Sequence, residues 1–434
     1  MGSPDANSLN VFQRLIRQFD AIHPYNAAQV MRLRGQADQV VVDRAWVETL
    51  SDLGIGPIRV VAKRFEQSGP TETLPDVKVL DPLTGDLAEQ LTRGLNRPFN
   101  PNGLDPFRPF VLKEDQDSYW AGVVYQHRVA DSVSIRMLLR EWFLRMFDPQ
   151  RARRVPLRIA KRGYWNRFGP GHAPWSVGGA VLDTMRWSAR MKSARRIEQR
   201  DGFTGTDTHF SLHHLPDGLV TELFAVARAN DVKINDLFLT AMARTCDRHI
   251  AARPTKKRYN LALGTIVDLR AGSREVADDE FGIFLGFTSV LCKRHHLNDW
   301  RALARSIAFQ NRRSKKLASA ESSQFRLAVT VLAGRVFSRE SLLNWYRKRA
   351  PLCSGISNVN LNRTWLSKYC PDPVMEYVRV SPVGPMMPVV FTPSTLGEKL
   401  HFGLTCKTAI VSTQLARTIA NDFSQNLIEI ARAT

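Results

Sequence analysis

The chain has 434 residues, 44% of them hydrophobic and 24% charged, a balance that excludes a fibrous or disordered chain and leaves room for two or three lobes, each with its own core. Its net charge of +20 points to anionic partners such as phosphorylated cofactors, anionic lipid, nucleic acid or an acidic protein. No apolar run is long enough to cross a bilayer, and the opening MGSPDANSLNVF lacks a basic-then-apolar signal, so a cytoplasmic protein is expected.

In chain order, FQRLIRQFDAI predicts a helix, AQVMRLRG a strand, DRAWVETLSDLG a capped helix ending at Gly54, and IRVVAKRF one strand. RPFVLKED and SYWAGVVYQH predict a hairpin turning through Asp115, Gln116 and Asp117, and VSIRMLLREWFLRMF a helix. Residues 150–205 change character, with basic residues, Gly, Pro, Trp175 and Trp187. Within them, residues 151–200 hold thirteen Lys or Arg against Asp183 and Glu198, a local charge of +11. PWSVGGAVLDTMRWSARM in that stretch predicts an amphipathic basic helix able to touch a membrane surface through Trp175, Met185, Trp187 and Met191.

The second half returns to alternation. THFSLHHL predicts a strand, PDGLVTELFAVARAN and INDLFLTAMARTCDRHI helices, and YNLALGTIVDLR and FGIFLGFTSVLCKRH strands. DWRALARSIAFQNRRSKK and QFRLAVTVLAGRVF predict helices, CSGISNVNL a strand, MEYVRVSP and KLHFGLTC a hairpin-like pair, and TQLARTIANDFSQNLIEIARA a closing helix. The expected organisation is an α/β chain in three parts: an N-terminal lobe over 1–150, a basic crossover over 151–206 and a C-terminal lobe over 207–434.

Five scattered cysteines with no CxxC pair are expected to be reduced packing residues. The adjacent pairs His213-His214 and His295-His296 read as strand residues facing opposite ways, so no metal is expected. His127 and Asp131 form an HxxxD loop between a strand and a helix. Histidine is the side chain tuned to take a proton near neutral pH, as acyl transfer to a hydroxyl or amine requires, and a neighbouring Asp can brace such a loop by pairing with an Arg.

The stretch Gln126-His127-Arg128-Val129-Ala130-Asp131-Ser132 resembles the HHxxxDG motif of the condensation-domain superfamily, relatives of chloramphenicol acetyltransferase. That superfamily includes nonribosomal peptide condensation domains, wax ester synthase/diacylglycerol acyltransferases and polyketide-lipid acyltransferases. Gln126 stands where the motif has its first His, and Ser132 where it has Gly. Arg97 to Leu112, Val232 to Cys246, Val267 to Arg270, Phe281 to Phe287, Ile356 to Asn360, Gly384-Pro385 and Leu400 to Cys406 resemble further family segments in the same order.

The resemblance implies two chloramphenicol-acetyltransferase-like lobes with a tunnel between them. It implies direct transfer of an acyl group from acyl-coenzyme A or a phosphopantetheinyl carrier to an alcohol or amine, with no bound cofactor and no acyl-enzyme. His127 takes the place of the general base and Asp131 that of a structural loop residue paired with an Arg, for which Arg270, Arg59 and Arg64 all stand open. Ser357 and Asn358 are candidates for an oxyanion role or for a lobe contact.

The basic crossover, with Arg153, Arg154, Lys161 and Arg162, is the candidate surface for the phosphate end of the donor or for an acidic carrier, with a peripheral membrane contact as the other use. The sequence carries no known nucleic-acid motif, so no nucleic-acid partner is expected. The alternatives are a stand-alone peptide-type condensation enzyme, and a catalytically silent carrier- or membrane-docking protein of the same fold.

Overall fold

The computed structural model describes residues 9–56, 58–61, 64–67, 76–80, 85–100, 105–159, 177–198, 207–270, 280–363 and 374–433. The chain forms two compact units. Neither is continuous: the first joins Met1–Arg167 to Arg270–Phe284 and Leu361–Pro382, and the second takes Phe168–Leu269, Leu285–Asn360 and Val383–Thr434.

The first unit holds strands β1 (Asn26–Arg34), β2 (Ile58–Val61), β3 (Arg64–Gln67), β4 (Lys78–Leu80), β5 (Phe107–Lys113), β6 (Ser118–Gln126), β7 (Arg158–Ile159), β10 (Glu280–Phe281) and β14 (Val374–Val380). Its helices are α1 (Val11–Asp20), α2 (Gln39–Asp52), α3 (Leu87–Asn96) and α4 (Ser132–Phe147). The main sheet has the order β14-β1-β6-β5-β4. β6 is buried along its whole length, as a central strand covered on both faces must be. Gly122 on β6 faces Val30 of β1, where a Cβ would fall 2.4 Å from the Gln29 carbonyl oxygen. Helices α2 and α4 pack by aromatic contact: the Trp46 and Trp142 rings stand 4.9 Å apart edge to face, and the Trp142 indole N–H donates to the Val42 carbonyl at 3.2 Å.

The second unit holds β8 (Thr208–His214), β9 (Leu261–Asp268), β11 (Leu285–Cys292), β12 (Ser354–Ile356), β13 (Val359–Asn360), β15 (Val389–Leu396) and β16 (Lys399–Lys407). Its sheet runs β11-β9-β12-β15-β16-β8, with β13 beside β15. Its helices are α5 (Val177–Met191), α6 (Leu219–Ala229), α7 (Ile234–His249), α8 (Trp300–Lys316), α9 (Ser319–Val336), α10 (Arg339–Arg349) and α11 (Thr413–Arg432). Leu237, Phe238, Phe391, Phe402, Phe423 and Leu427 are among the residues of its core. Among the described residues no helix is long and apolar enough to cross a membrane.

Several elements differ from the sequence expectation. The helix expected from Asp43 starts earlier, because Asp38 caps it by accepting from the Val40 and Val41 N–H groups at 2.9 and 3.2 Å. IRVVAKRF splits into the antiparallel pair β2 and β3. FGIFLGFTSVLCKRH divides into β10 and β11, which belong to different units. MEYVRVSP and KLHFGLTC do not pair: the first is β14 against β1, and the second is β16 between β15 and β8. Arg294–His296 is a 3-10 turn rather than strand, with the His295 and His296 rings 4.2 Å apart.

The predicted amphipathic helix is present as α5, but its apolar residues divide. Trp187 and Met191 pack into a core cluster with Ala262 and Phe287, while Leu182 and Met185 are exposed. Trp175 lies outside the described residues. Cys246, Cys292, Cys353 and Cys406 are free and buried, and Cys370 lies outside the described residues.

Candidate functional site

β6 ends at Gln126 and α4 begins at Ser132, so the five residues between them form a tight strand-to-helix loop. Asp131 is the N-cap of α4: one carboxylate oxygen accepts from the Val133 and Ser134 N–H groups at 3.1 and 3.0 Å. Its other oxygen accepts from Arg270 Nη1 at 2.6 Å and from the Phe284 N–H at 2.9 Å. Burial alone raises the pKa of this fully buried acid. The Arg270 charge and hydrogen bond, with the two backbone N–H groups, outweigh that and hold it below its ordinary value. With both oxygens engaged, Asp131 braces the loop.

Arg270 reaches Ser134 Oγ as well, at 2.9 Å, and that hydroxyl donates to the Gly282 carbonyl at 2.9 Å. Arg270, Gly282 and Phe284 are therefore each tied to the start of α4. Of the three arginines open in the sequence, Arg270 pairs with Asp131. The side chains of Arg59 and Arg64 lie outside the described residues.

His127 sits at the start of the loop, with its ring stacked on Tyr25 at 6.0 Å and edge-on to Tyr125 at 5.8 Å. Its Nδ1 lies 3.1 Å from the Ala130 carbonyl oxygen, an acceptor only, so Nδ1 carries the proton and Nε2 keeps a lone pair. Burial lowers the ring's pKa to about 4, against the pull of Asp131 and the Ala130 carbonyl, and Arg379 lowers it further. The ring is thus neutral at pH 7 and able to accept a proton at Nε2.

The two departures from HHxxxDG each have a local role. The Gln126 amide donates to Asp20 at 3.3 Å, and Asp20 also pairs with Arg128 at 3.8 Å. Ser132 Oγ accepts from Arg136 at 2.8 Å and from Arg379 at 3.1 Å, while the Ser132 carbonyl accepts from Gln29 at 3.0 Å. Tyr377 completes the set by donating to Gln29 Oε1 at 2.8 Å. From the other side, Gln13 of α1 donates to the Arg128 carbonyl at 3.0 Å.

Sequence reasoning did not find Gln13, Asp20, Tyr25, Gln29, Tyr377 or Arg379. Gln29 carried a usable signal: a polar amide inside the apolar run AAQVM of a central strand must find partners when buried.

Ser357 and Asn358 belong to the second unit, between β12 and β13. The Ser357 N–H donates to the Phe391 carbonyl at 3.0 Å, and Asn358 Oδ1 is a buried acceptor with no protein partner among the described residues. Arg153 belongs to the first unit, where its guanidinium donates to the Val155 carbonyl at 2.8 Å, and Arg154 there is exposed. Lys161 and Arg162 lie outside the described residues.

No family model matches the sequence, and no curated protein matches it. Solved structures do. The first condensation domain of the CDA synthetase is similar at a TM-score of 0.70 and 13% identity, over 98% of this chain and 96% of that one. The chain has the condensation-domain fold. The X-domain from teicoplanin biosynthesis is similar at 0.66 and 12% identity, over 100% and 96% of the two chains. The SgcC5 protein from Streptomyces globisporus, solved with (R)-(-)-1-(2-naphthyl)-1,2-ethanediol and sucrose, is similar at 0.65 and 15% identity, over 98% and 99%. Such identities fix the condensation-domain fold, while the chemistry must be argued from the side chains of this chain.

Proposed function

We propose that this protein is an acyltransferase that moves an acyl group from acyl-coenzyme A or a carrier-bound thioester to a hydroxyl or amine by direct transfer. The observation that carries this reading is the His127 ring, neutral, with Nδ1 committed to the Ala130 carbonyl and Nε2 left as a base. As the acceptor oxygen or nitrogen attacks the thioester carbonyl carbon, its proton passes to Nε2. The tetrahedral oxyanion then collapses, the C–S bond breaks, and the imidazolium returns the proton to the departing thiolate. A low pKa suits that second transfer, because an acidic imidazolium gives up its proton readily. Ser357 and Asn358 are the proposed donors to the oxyanion, the Asn358 side chain through its amide N–H.

The thioester reaches the site with its phosphate end towards the basic crossover, where Arg153, Arg154, Lys161 and Arg162 supply charge. The local excess of +11 supports this placement. Replacing those four by Gln should lower kcat/KM at low salt and leave saturating turnover intact. The difference should fade as the screening length contracts to about 8 Å at physiological ionic strength. The decisive experiment is turnover of a thioester panel against alcohol and amine acceptors by wild type and His127→Ala; equal rates in both would remove His127 from the chemistry.

One finding favours a second reading, in which the protein docks a partner without catalysis: an X-domain from teicoplanin biosynthesis was solved in complex with OxyB, and it matches this chain at a TM-score of 0.63. On that reading no thioester and acceptor pair is turned over, while an acidic carrier protein is still bound.

A further inference from the structure

The second unit contains a cavity of about 620 Å³, which falls within the roughly 300–1,000 Å³ of small-molecule sites. Its walls are Trp187 and Met191 of α5, Phe287 of β11, Leu327 of α9 and Trp345 of α10. The floor is built rather than accidental. The Trp187 indole N–H donates to Ser289 Oγ at 2.8 Å, and the guanidinium of Arg326 lies 5.6 Å from the Trp187 ring while it pairs with Asp183 and donates to the Phe287 carbonyl at 3.2 Å.

The lining is asymmetric in charge. Lys192, Arg196, Arg258, Lys348 and Arg349 also line the cavity, and among the described residues no Asp or Glu does. Lys192, Arg196, Lys348 and Arg349 are exposed, so their cost of desolvation is small until a ligand arrives. Arg258 is fixed in place by donating to the Ala194 carbonyl at 2.7 Å. Two of these cations, Lys192 and Arg196, lie within five residues of the end of α5 and account for part of the basic crossover. Val329, another lining residue, is 45% exposed, so the apolar wall reaches solvent and offers a way in.

We propose that this cavity binds a monomeric anionic amphiphile, a molecule with an aliphatic chain or aryl body and a carboxylate or phosphate head. The body lies against the Trp187, Phe287 and Trp345 walls, and the head meets Arg196, Arg258 and Lys348. A neutral chain leaves the cations without a counter-charge, and a cationic head is repelled by them. None of these groups takes part in the chemistry at His127, and none is among Arg153, Arg154, Lys161 and Arg162, so binding here is separable from the proposed acyl transfer.

The test titrates the full-length protein with dodecyl phosphate, dodecanoate, dodecyl maltoside and dodecyltrimethylammonium below their micelle thresholds, read by tryptophan fluorescence and calorimetry. The expected result is saturable binding of the two anions at one site, with the neutral and cationic probes weaker by about tenfold or more. Arg196→Gln with Lys348→Gln, both exposed positions, should weaken anion binding about tenfold without moving the melting temperature. Val329→Trp should obstruct the cavity and lower affinity for all chains, while His127→Ala should bind as wild type. Equal affinity for the maltoside would overturn the anionic assignment. Binding seen only with phosphatidylglycerol vesicles, or wild-type affinity in both cavity variants, would overturn the cavity as the site.

Discussion

Arg270 Nη1 lies 2.6 Å from Asp131 Oδ2 across 139 residues of sequence, and both groups are withdrawn from solvent. The pair joins Arg270 to the N-terminus of α4. Removing one partner of such a pair strands the other's charge in the interior. Arg270→Met is expected to lower stability by about 3–5 kcal/mol, measured by urea unfolding. Asp131→Asn should lower stability and activity together, since it weakens the ion pair that holds the loop. Unchanged melting with abolished turnover in Asp131→Asn would give Asp131 a chemical role that its four hydrogen bonds argue against.

His127 makes a prediction in pH. In the unfolded chain its pKa is the ordinary 6.5, and in the folded protein it is about 4. Between those values the unfolded state binds a proton that the folded state refuses. This group therefore withdraws stability as pH falls from 6.5 towards 4 and contributes nothing to the slope above 6.5. His127→Gln should flatten that part of the stability curve. The acid limb of kcat/KM in wild type should bend near pH 4, and a bend near 6.5 would mean that the working base is a solvated imidazole.

His127→Ala should fold normally and lose about 10²–10⁴-fold in kcat. Circular dichroism and melting temperature check the first half of that statement, and single-turnover kinetics the second. A rate within a few-fold of wild type would end the mechanism.

Ser132 provides a test of the motif's departure from Gly. Its hydroxyl accepts from two guanidinium groups, and burial has already lowered the pKa of one of them, Arg379, to about 10. Ser132→Gly restores the motif but deletes that acceptor, so it should cost about 1–3 kcal/mol in stability. A variant more stable than wild type would mean that the loop prefers Gly here and that the two arginines are satisfied without Ser132.

Much of the fold and the central loop could be read in the sequence, because strand-to-helix transitions leave strong periodic signals. The run SYWAGVVYQH, the HxxxD loop and the helix after it are local features that the neighbouring residues settle. What the sequence left open depends on distant contacts: Arg270 could not be separated from Arg59 and Arg64 by spacing. β15 went unseen since Pro393 interrupts VVFTPSTL, and the sheet tolerates it where β15 passes from pairing with β12 at Phe391 to β13 at Ser394. β14 and β16 read as neighbours because they are close in sequence, yet register with Met31 on one side and Phe402 with His213 on the other puts them in different sheets. Helix α10 lacks a clear apolar stripe, since seven of the eleven residues of RESLLNWYRKR are polar or charged.

Direct transfer requires that no acyl group rest on the protein, and a cysteine thiolate is the most nucleophilic side chain that could hold one. Burial raises the thiol pKa of Cys292, Cys353 and Cys406 to about 12, and that of Cys246 is raised well above its ordinary value. A thiol with so high a pKa supplies almost no thiolate at pH 7, and it is the thiolate that attacks an acyl carbon. Incubation with a thioester and no acceptor should therefore leave the intact mass of the native protein unchanged. Iodoacetamide under native conditions should leave Cys246, Cys292, Cys353 and Cys406 unmodified, as peptide mapping would read out. A stable acyl adduct on Cys353, lost in Cys353→Ser together with turnover, would replace direct transfer by a thiol-linked mechanism and reduce His127 to the base that activates it.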